Sequence, residues 1–194
     1  APAARCGDFI AALRAALPPL ARIDAVERVG AEVADDGRFT ILPSAPGLPS
    51  TQVTPDAASC VSCLAEVADP SERRHRYAFT NCTHCGPRYS ITLAIPYDRA
   101  NTTMRGFAMC ERCAEEYADE EDRRYHAQPI ACHDCGPRLS LKRCGVGGEE
   151  PAPDADDTGD LADAAGALIA AGEIVAGKGI GGDHLMCVAT DAAV

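Results

Sequence analysis

The sequence CVSC at residues 60–63, followed by eighteen residues and then CTHC at residues 82–85, is the first copy of a repeated cysteine pattern. CERC at residues 110–113 and CHDC at residues 132–135 repeat it fifty residues later with the same spacing. Two thiolates separated by two residues hold one side of a tetrahedral ion, and a second pair closes the other side. The pattern therefore predicts a duplicated zinc module. The predicted zinc ligands are Cys60, Cys63, Cys82, Cys85, Cys110, Cys113, Cys132 and Cys135.

These eight cysteines can be grouped in two ways. We expect one quartet within each copy, because the copies are duplicates. An interleaved arrangement would instead pair Cys82 and Cys85 with Cys110 and Cys113 across twenty-four residues. Each quartet is complete without histidine, which leaves no open position for a catalytic water, so the predicted sites are structural. Iron or a set of free thiols is the alternative to zinc.

Other residues also recur at an interval of fifty. They are Glu66/Glu116, Asp69/Asp119, Arg73-Arg74/Arg123-Arg124, Gly86-Pro87-Arg88/Gly136-Pro137-Arg138 and Ser90/Ser140. The double arginines could face a phosphate or a partner surface, but we expect solvated side chains that pair with nearby acids such as Glu72 and Asp122. Arg88 and Arg138 follow a Gly-Pro turn, and we expect them to donate to the carbonyls or thiolates beside it.

Composition and charge argue against several classes of protein. The chain has 194 residues and a formal net charge of −11, and no run approaches the roughly 18 apolar residues that a membrane helix needs. Residues 60–141 contain ten arginines and twelve acidic residues. The excess of basic residues that is typical of a nucleic-acid-binding module is therefore missing. Three cysteines lie outside the quartets, and this odd remainder does not indicate a secreted disulfide framework. Reduced thiols that hold metal favour the cytoplasm.

Hydrophobic periodicity predicts short helices and strands, some within the repeats and some on either side of them. Asp8 is the expected cap of the first helix, Pro18-Pro19 its stop, and Gly172 the stop of the last. The predicted helices are 9–17, 64–67, 114–117 and 161–169, and the predicted strands are 22–33, 38–42, 89–93, 139–141 and 173–176. A glycine-rich turn is expected at 177–184. The cysteine modules have almost no apolar core of their own, so metal must hold them folded.

Four motifs in the region from Cys60 to Leu141 and two flanking stretches carry a resemblance to a known family. The motifs are RRHRY at 73–77, NCTHCGPR at 81–88, PYDR at 96–99 and RRYHAQP at 123–129. They resemble the paired zinc fingers of the HypF-type carbamoyltransferases of nickel–iron hydrogenase maturation. PPLARI at 18–23 is similar to the later half of that family's acylphosphatase-like domain. KGIGG at 178–182, followed by His184-Leu185, is similar to the start of its YrdC-like nucleotide-binding domain.

The resemblance implies an α+β, metal-stabilised chain with several small domains. It comprises a partial acylphosphatase-like (ferredoxin-like) unit, two four-cysteine zinc-finger modules and the beginning of a YrdC-like α/β domain. The implied segments are 1–45 for the acylphosphatase-like part, 46–59 for a linker, 60–93 for zinc finger 1, 94–109 for a connector, 110–141 for zinc finger 2, 142–158 for a linker and 159–194 for the YrdC-like part.

The resemblance also implies an activity. Members of the family cleave carbamoyl phosphate, activate the carbamate with ATP as carbamoyl adenylate, and transfer the carbamoyl group to the C-terminal cysteine of the partner HypE. That product leads to the cyanide ligands of the hydrogenase iron. By the same resemblance, Lys178, Gly181, Gly182 and His184 are candidates for nucleotide or substrate contact. Asp183 and Val188 depart from the family pattern, which has an aromatic and an acid at these places.

Three hypotheses for the function follow. The first is a HypF-type segment whose zinc modules connect catalytic domains. We expect this segment not to complete the reaction alone, because the acylphosphatase loop and the final transferase domain are absent from the sequence. The second is a stand-alone zinc-ribbon protein that binds nucleic acid or protein without catalysis. The third is a small acylphosphatase, against which the absence of its phosphate-binding loop argues.

Overall fold

The computed structural model describes residues 5–30, 52–145, 148–151 and 158–189, and the chain divides into two compact units, Ala1–Ser50 and Thr51–Val194. In the first unit, helix α1 spans Cys6–Ala15, which confirms the helix predicted before the two prolines. Arg5, not Asp8, stands at its N-cap. Asp8 lies inside the first turn, where a carboxylate still stabilises the positive end of the helix dipole.

The strand predicted at 22–33 does not form in its described part. Residues 22–30 are irregular and almost entirely exposed. A strand must pair its backbone groups with a neighbour, and no described residue of the first unit forms a strand beside them. The remainder of that prediction, the predicted strand at 38–42 and the first part of the predicted linker lie outside the described residues.

The cysteine region of the second unit begins each module with a short α-helix. Helix α2 spans Val61–Ala68 and helix α3 spans Glu111–Ala118, so both predicted helices are confirmed and are about one turn longer than expected. Between them, 3-10 turns occur at Tyr89–Ile91, Arg99–Asn101 and Thr103–Gly106.

The strands predicted after the second cysteine pair of each module do not form. Residues 89–91 make a 3-10 turn and residues 139–141 are irregular. In the first module, Asp56 fixes this turn, because its carboxylate accepts hydrogen bonds from the backbone N–H groups of Arg88 and Ser90, at 2.6 and 3.1 Å, and from the Ser90 hydroxyl. Such local side-chain bonds compete with the ladder of a strand.

Two β-hairpins precede and follow the last helix. Strand β1 (Lys142–Gly145) pairs antiparallel with β2 (Gly148–Pro151), within the segment that the sequence suggested is a linker. Helix α4 spans Thr158–Ala170, and Gly172 at φ +88° follows it, which confirms the predicted stop. Strand β3 (Val175–Lys178) pairs antiparallel with β4 (Asp183–Met186), so the predicted glycine-rich turn is largely a hairpin.

A small apolar core lies between the two cysteine modules. Its buried members are Tyr77 and Ile91 from the first module, Met104 from the connecting segment and Ala131 from the second module, with Phe79, Tyr97 and Phe107 packed against them. The Tyr77 side chain is fully buried, and its hydroxyl donates to the Pro137 carbonyl at 3.2 Å. Each single module was expected to have almost no apolar core of its own; the two modules together form this shared one.

Arg99 ties the connecting segment to the second module. Its guanidinium donates to the carbonyls of Gln128, Ile130 and Phe107 at 2.7, 2.9 and 2.7 Å. Burial lowers the pKa of this half-buried side chain. Within the described ranges, no helix has both the length and the apolar character needed to cross a membrane.

Candidate metal centres

The structure gathers the eight repeated cysteines into two quartets. In each quartet the four Sγ atoms lie within 4.8 Å of one another. The first quartet consists of Cys60, Cys63, Cys82 and Cys85, and the second of Cys110, Cys113, Cys132 and Cys135. The grouping is thus the one within each repeat, and the interleaved arrangement is excluded.

The sulfur positions fit one tetrahedral zinc ion per quartet. In the first quartet Sγ–Sγ distances are 3.7 Å for Cys60–Cys82, 3.8 Å for Cys82–Cys85 and 3.5 Å for Cys63–Cys85. The corresponding distances in the second quartet are 3.7, 3.8 and 3.6 Å. A tetrahedron with Zn–S bonds of about 2.3 Å has edges of about 3.8 Å. Both four-cysteine clusters are therefore compatible with a structural zinc ion.

The start of a helix positions the first cysteine pair of each module. Cys60 is the extended N-cap of α2, and Cys63 lies in its first turn. Cys110 and Cys113 hold the same places in α3. Because the N-terminal end of a helix carries partial positive charge, it favours thiolates at these positions.

A tight turn positions the second pair. The Cys85 N–H donates to the Cys82 carbonyl at 3.4 Å, and the Cys135 N–H donates to the Cys132 carbonyl at 3.2 Å. The His84 N–H donates to the Cys82 sulfur at 3.4 Å. Both turns lead into the Gly-Pro-Arg motif, where Arg88 donates to the Cys82 and Thr83 carbonyls at 2.8 and 3.0 Å, as the sequence predicts.

The arginines of the first module contact Cys113, a predicted zinc ligand of the second. Arg73 donates through Nη2 to the Cys113 sulfur at 3.1 Å, and its Nε and Nη2 atoms bond the two carboxylate oxygens of Glu116 at 3.1 and 2.9 Å. Arg74 is buried and bonds the same carboxylate at 3.0 and 2.5 Å, while its Nε donates to the Ala131 carbonyl at 2.9 Å.

The second module returns the same contacts. Arg123 donates through Nη1 to the Cys63 sulfur at 3.1 Å and through Nε to Glu66 at 3.2 Å. Arg124 bonds the Glu66 carboxylate, and its Nε donates to the Asn81 carbonyl at 3.0 Å. The two sets of contacts are therefore related by the fifty-residue repeat, and each module holds the other.

The expectation that the double arginines are solvated and pair with Glu72 and Asp122 was wrong. Arg74 and Arg124 are only 2% and 3% exposed, and their partners lie in the opposite module. The sequence did contain a signal for these partners, because a glutamate, Glu66 or Glu116, follows a cysteine by one turn in the helix of each module. The sequence does not say which module a recurring pair contacts.

The carboxylates between the modules are held ionised. Burial of Glu116 acts to raise its pKa, but hydrogen bonds and charge from Arg74 and Arg73 outweigh it and lower the pKa to about 2. For Glu66, burial is likewise outweighed by Arg124 and Arg123, and the pKa is lowered. Each carboxylate therefore keeps its charge and orients the guanidinium groups that reach the cysteine sulfurs.

The glycine-rich stretch lies apart from these clusters in the chain. Lys178 is opposite Asp183 in the β3–β4 pairing and His184 is opposite Gly177, while Gly181 and Gly182 fall in the hairpin loop. Gly182 has φ +152°, a conformation that favours glycine. Lys178, Gly181, Gly182 and His184 stay a prediction as ligand contacts.

Comparison with known proteins agrees with the architecture. The family model for the HypF finger matches residues 60–92 and 109–142. Carbamoyltransferase HypF of Rhodobacter capsulatus is 56% identical over 96% of this chain and 24% of its own length, and carbamoyltransferase HypF2 of Cupriavidus necator is 52% identical over 93% and 22%. A full-length HypF crystallised in a phosphate- and nucleotide-bound form matches 98% of this chain and 24% of its own, with 41% identity and a TM-score of 0.83.

Two interlocked four-cysteine modules, each opened by a short helix, define a paired zinc-finger protein. Both modules match the HypF finger family, at residues 60–92 and 109–142, and nearly the whole chain is similar to part of the HypF carbamoyltransferases. The chain spans about a quarter of the length of these relatives.

Proposed function

We propose that this chain contributes the structural metal centres of a HypF-type carbamoyltransferase. The observation that carries the proposal is the 56% identity over 188 residues to a protein named carbamoyltransferase HypF. The relevant reaction would be ATP-dependent transfer of the carbamoyl group of carbamoyl phosphate to the C-terminal cysteine of a HypE-type acceptor. Reduced, metal-binding thiols favour the cytoplasm as the location of this activity.

The zinc modules act as a rigid connector. Each quartet supplies four sulfur donors, so a bound zinc would have a closed coordination shell with no site for substrate or water. The residues would supply rigidity, because the ion-pair contacts between the modules and the shared core lock them together. We assign 1–45, which precedes this connector in the sequence, to an acylphosphatase-like part, and 159–194, which follows it, to the start of a YrdC-like part.

The proposed chemistry consists of three consecutive reactions in the whole protein. Hydrolysis of carbamoyl phosphate gives carbamate and phosphate. Attack of the carbamate oxygen on the α-phosphorus of ATP gives carbamoyl adenylate and pyrophosphate. Attack of the acceptor thiolate on the carbamoyl carbon then breaks the bond to AMP. Because the mixed anhydride is labile in water, the whole protein must enclose it, which makes a rigid arrangement of its domains useful.

Lys178, Gly181, Gly182 and His184 are the residues that we propose for nucleotide or substrate contact. They are exposed on and around one hairpin, and an added Cβ at Gly181 or at Gly182 would meet nothing within 4 Å, so this loop leaves room for a ligand. The ammonium of Lys178 and the loop N–H groups are suited to a phosphate.

The test is a transfer assay with carbon-14-labelled carbamoyl phosphate, ATP and purified HypE. A full-length protein that contains this chain should label the C-terminal cysteine of HypE, and the 194-residue chain alone should not. Elemental analysis of both proteins should give two zinc ions per chain. Transfer by the 194-residue chain alone would contradict the connector role, and failure of the full-length protein would contradict the assigned reaction.

A further inference from the structure

We propose that the two metal centres form one coupled unit, in which Arg73 and Arg123 are positioning residues that each act on the metal held by the opposite module. The inference rests on the proposed occupancy of both quartets by zinc. It assigns to these two arginines a role that their positions in the sequence do not suggest, since each follows the helix of its own module.

The first support is the pair of contacts to sulfur. Arg73 Nη2 lies 3.1 Å from Cys113 Sγ, and Arg123 Nη1 lies 3.1 Å from Cys63 Sγ and 3.9 Å from Cys60 Sγ. A zinc ion with four thiolates carries a net charge of −2. A guanidinium N–H bonded to one of those sulfurs stabilises that charge and fixes the orientation of the ligand.

The second support is the geometry of the glutamates. Glu116 lies one turn after Cys113 on α3, and Glu66 lies one turn after Cys63 on α2. Glu116 accepts two N–H···O bonds from Arg73. Glu66 accepts one from Arg123 Nε and forms an ion pair with its Nη2. Each metal would therefore fix the start of a helix, and that helix carries a carboxylate. The carboxylate in turn orients an arginine of the other module toward a sulfur of the same metal site.

The third support comes from the loops that carry the arginines. The Thr83 N–H and hydroxyl both donate to the Arg123 carbonyl, at 3.2 and 3.0 Å. At the equivalent place in the second module, His133 Nε2 lies 2.9 Å from the His75 carbonyl. The turn bearing the second cysteine pair of each module thus contacts the arginine loop of the other. Arg73 lies between the two cysteine pairs of the first quartet, and Arg123 lies between those of the second. If one metal is lost, the loop that carries the arginine for the other site is no longer fixed at both ends, and that arginine loses its support.

Coupling is tested by native mass spectrometry of the metal-free chain during zinc titration. At half loading, coupled centres should leave mostly chains with no zinc or with two. Independent equal centres would leave about half of the chains with one zinc, and unequal ones still more, so a dominant one-zinc species would overturn the inference. A chain that binds no metal would refute the zinc assignment itself, which separates the two failures.

The role of the arginines is tested with Arg73→Gln and Arg123→Gln together, against Arg105→Gln, an exposed arginine of the connecting segment. The double variant should raise the one-zinc population and weaken zinc binding by roughly 10- to 100-fold, while the control should match the unmodified chain. An unchanged distribution in the double variant would overturn the role of the arginines.

The crossed assignment has its own readout in cadmium-113 NMR of the cadmium-loaded chain. One signal per quartet is expected, assigned through Cys60→Ser and Cys110→Ser. The conservative variant Arg73→Lys should shift the signal of the Cys110 quartet, and Arg123→Lys that of the Cys60 quartet. The opposite result, in which each variant shifts the signal of its own module, would overturn the inference.

Discussion

At the scale of single residues, the two Gly-Pro-Arg repeats need glycine for different reasons. Gly86 has φ +91°, and a Cβ there would lie 2.6 Å from the Cβ of Asn81. Gly136 faces the shared core, where an added Cβ would lie 1.9 Å from the Tyr77 hydroxyl oxygen and 2.6 Å from the Ala131 Cβ. The second glycine thus allows the modules to approach each other closely.

Gly136→Ala is therefore expected to destabilise the zinc-loaded chain by about 2–3 kcal/mol, because the new methyl group must displace the buried tyrosine. Urea unfolding followed by fluorescence and circular dichroism would measure the change. Gly106→Ala is the matched control, since a Cβ there meets nothing within 4 Å. Equal stability of the two variants would show that the modules do not pack around Tyr77 as described.

At the scale of elements, helices α2 and α3 each present a metal ligand and a carboxylate on one face. Cys63 and Glu66 are three residues apart, as are Cys113 and Glu116, and residues at that spacing are neighbours on a helix surface. Each short helix thus serves both its own metal and the arginines of the other module. This double use explains why helices of only eight residues hold the modules together.

Glu116→Gln should lower the free energy of unfolding by about 3 kcal/mol, because it leaves buried Arg74 without its counter-charge. Glu115→Gln, an exposed neighbour on the same helix, should change it by less than about 0.5 kcal/mol. Denaturant titration of the two zinc-loaded variants provides the comparison. Similar losses in both would mean that the contact between modules contributes little.

The same carboxylate predicts a pH dependence. The pKa of Glu116 is about 2 in the folded chain against an ordinary 4.5, so its stabilising contribution is complete above pH 4.5 and is lost as the pH falls toward 2. The stability difference between the unmodified chain and Glu116→Gln should therefore stay constant from neutral pH to about 5 and shrink below about 4.5. The measurement is made on cadmium-loaded protein. A stability difference between the two proteins that already declines near neutral pH would contradict the ion pair.

At the scale of the whole molecule, the cysteine region behaves like a symmetric dimer within one chain. Arg73 of the first module contacts Cys113 and Glu116 of the second, and Arg123 of the second module makes the equivalent contacts to Cys63 and Glu66 of the first. Such reciprocal contacts are the property of a self-complementary interface. The fold of this region combines that interface, one small shared core and two four-cysteine clusters that are compatible with zinc.

Metal removal should therefore unfold the cysteine region as a unit. A structural zinc contributes on the order of 10–16 kcal/mol to folding, and the small apolar core cannot replace that contribution. Chelation under reducing conditions should abolish most of the helical signal of α2 and α3 and release the buried thiols to a thiol reagent, and zinc should restore both. A chain that keeps its buried thiols protected after complete metal removal would contradict the metal-held fold.

Much of the local structure could be predicted because it depends on residues close in the chain. The helices after Cys60 and Cys110 and the stop at Gly172 follow from short-range periodicity and glycine conformation. The strand predictions at 22–33, in its described part 22–30, and at 89–93 were wrong because alternation alone supplies no partner. In the second case Asp56 offers the backbone a different set of hydrogen bonds.

By itself, the sequence determined the duplication, the eight sulfur donors and the HypF resemblance, because the chemistry of a metal ligand is set by residue type and spacing. Only the tertiary structure decided the crossed contacts of Arg73, Arg74, Arg123 and Arg124 and the shared core around Tyr77. The physical reason is that a repeat makes contacts within and between its copies equally compatible with the sequence. Their arrangement in space settles which of the two occurs.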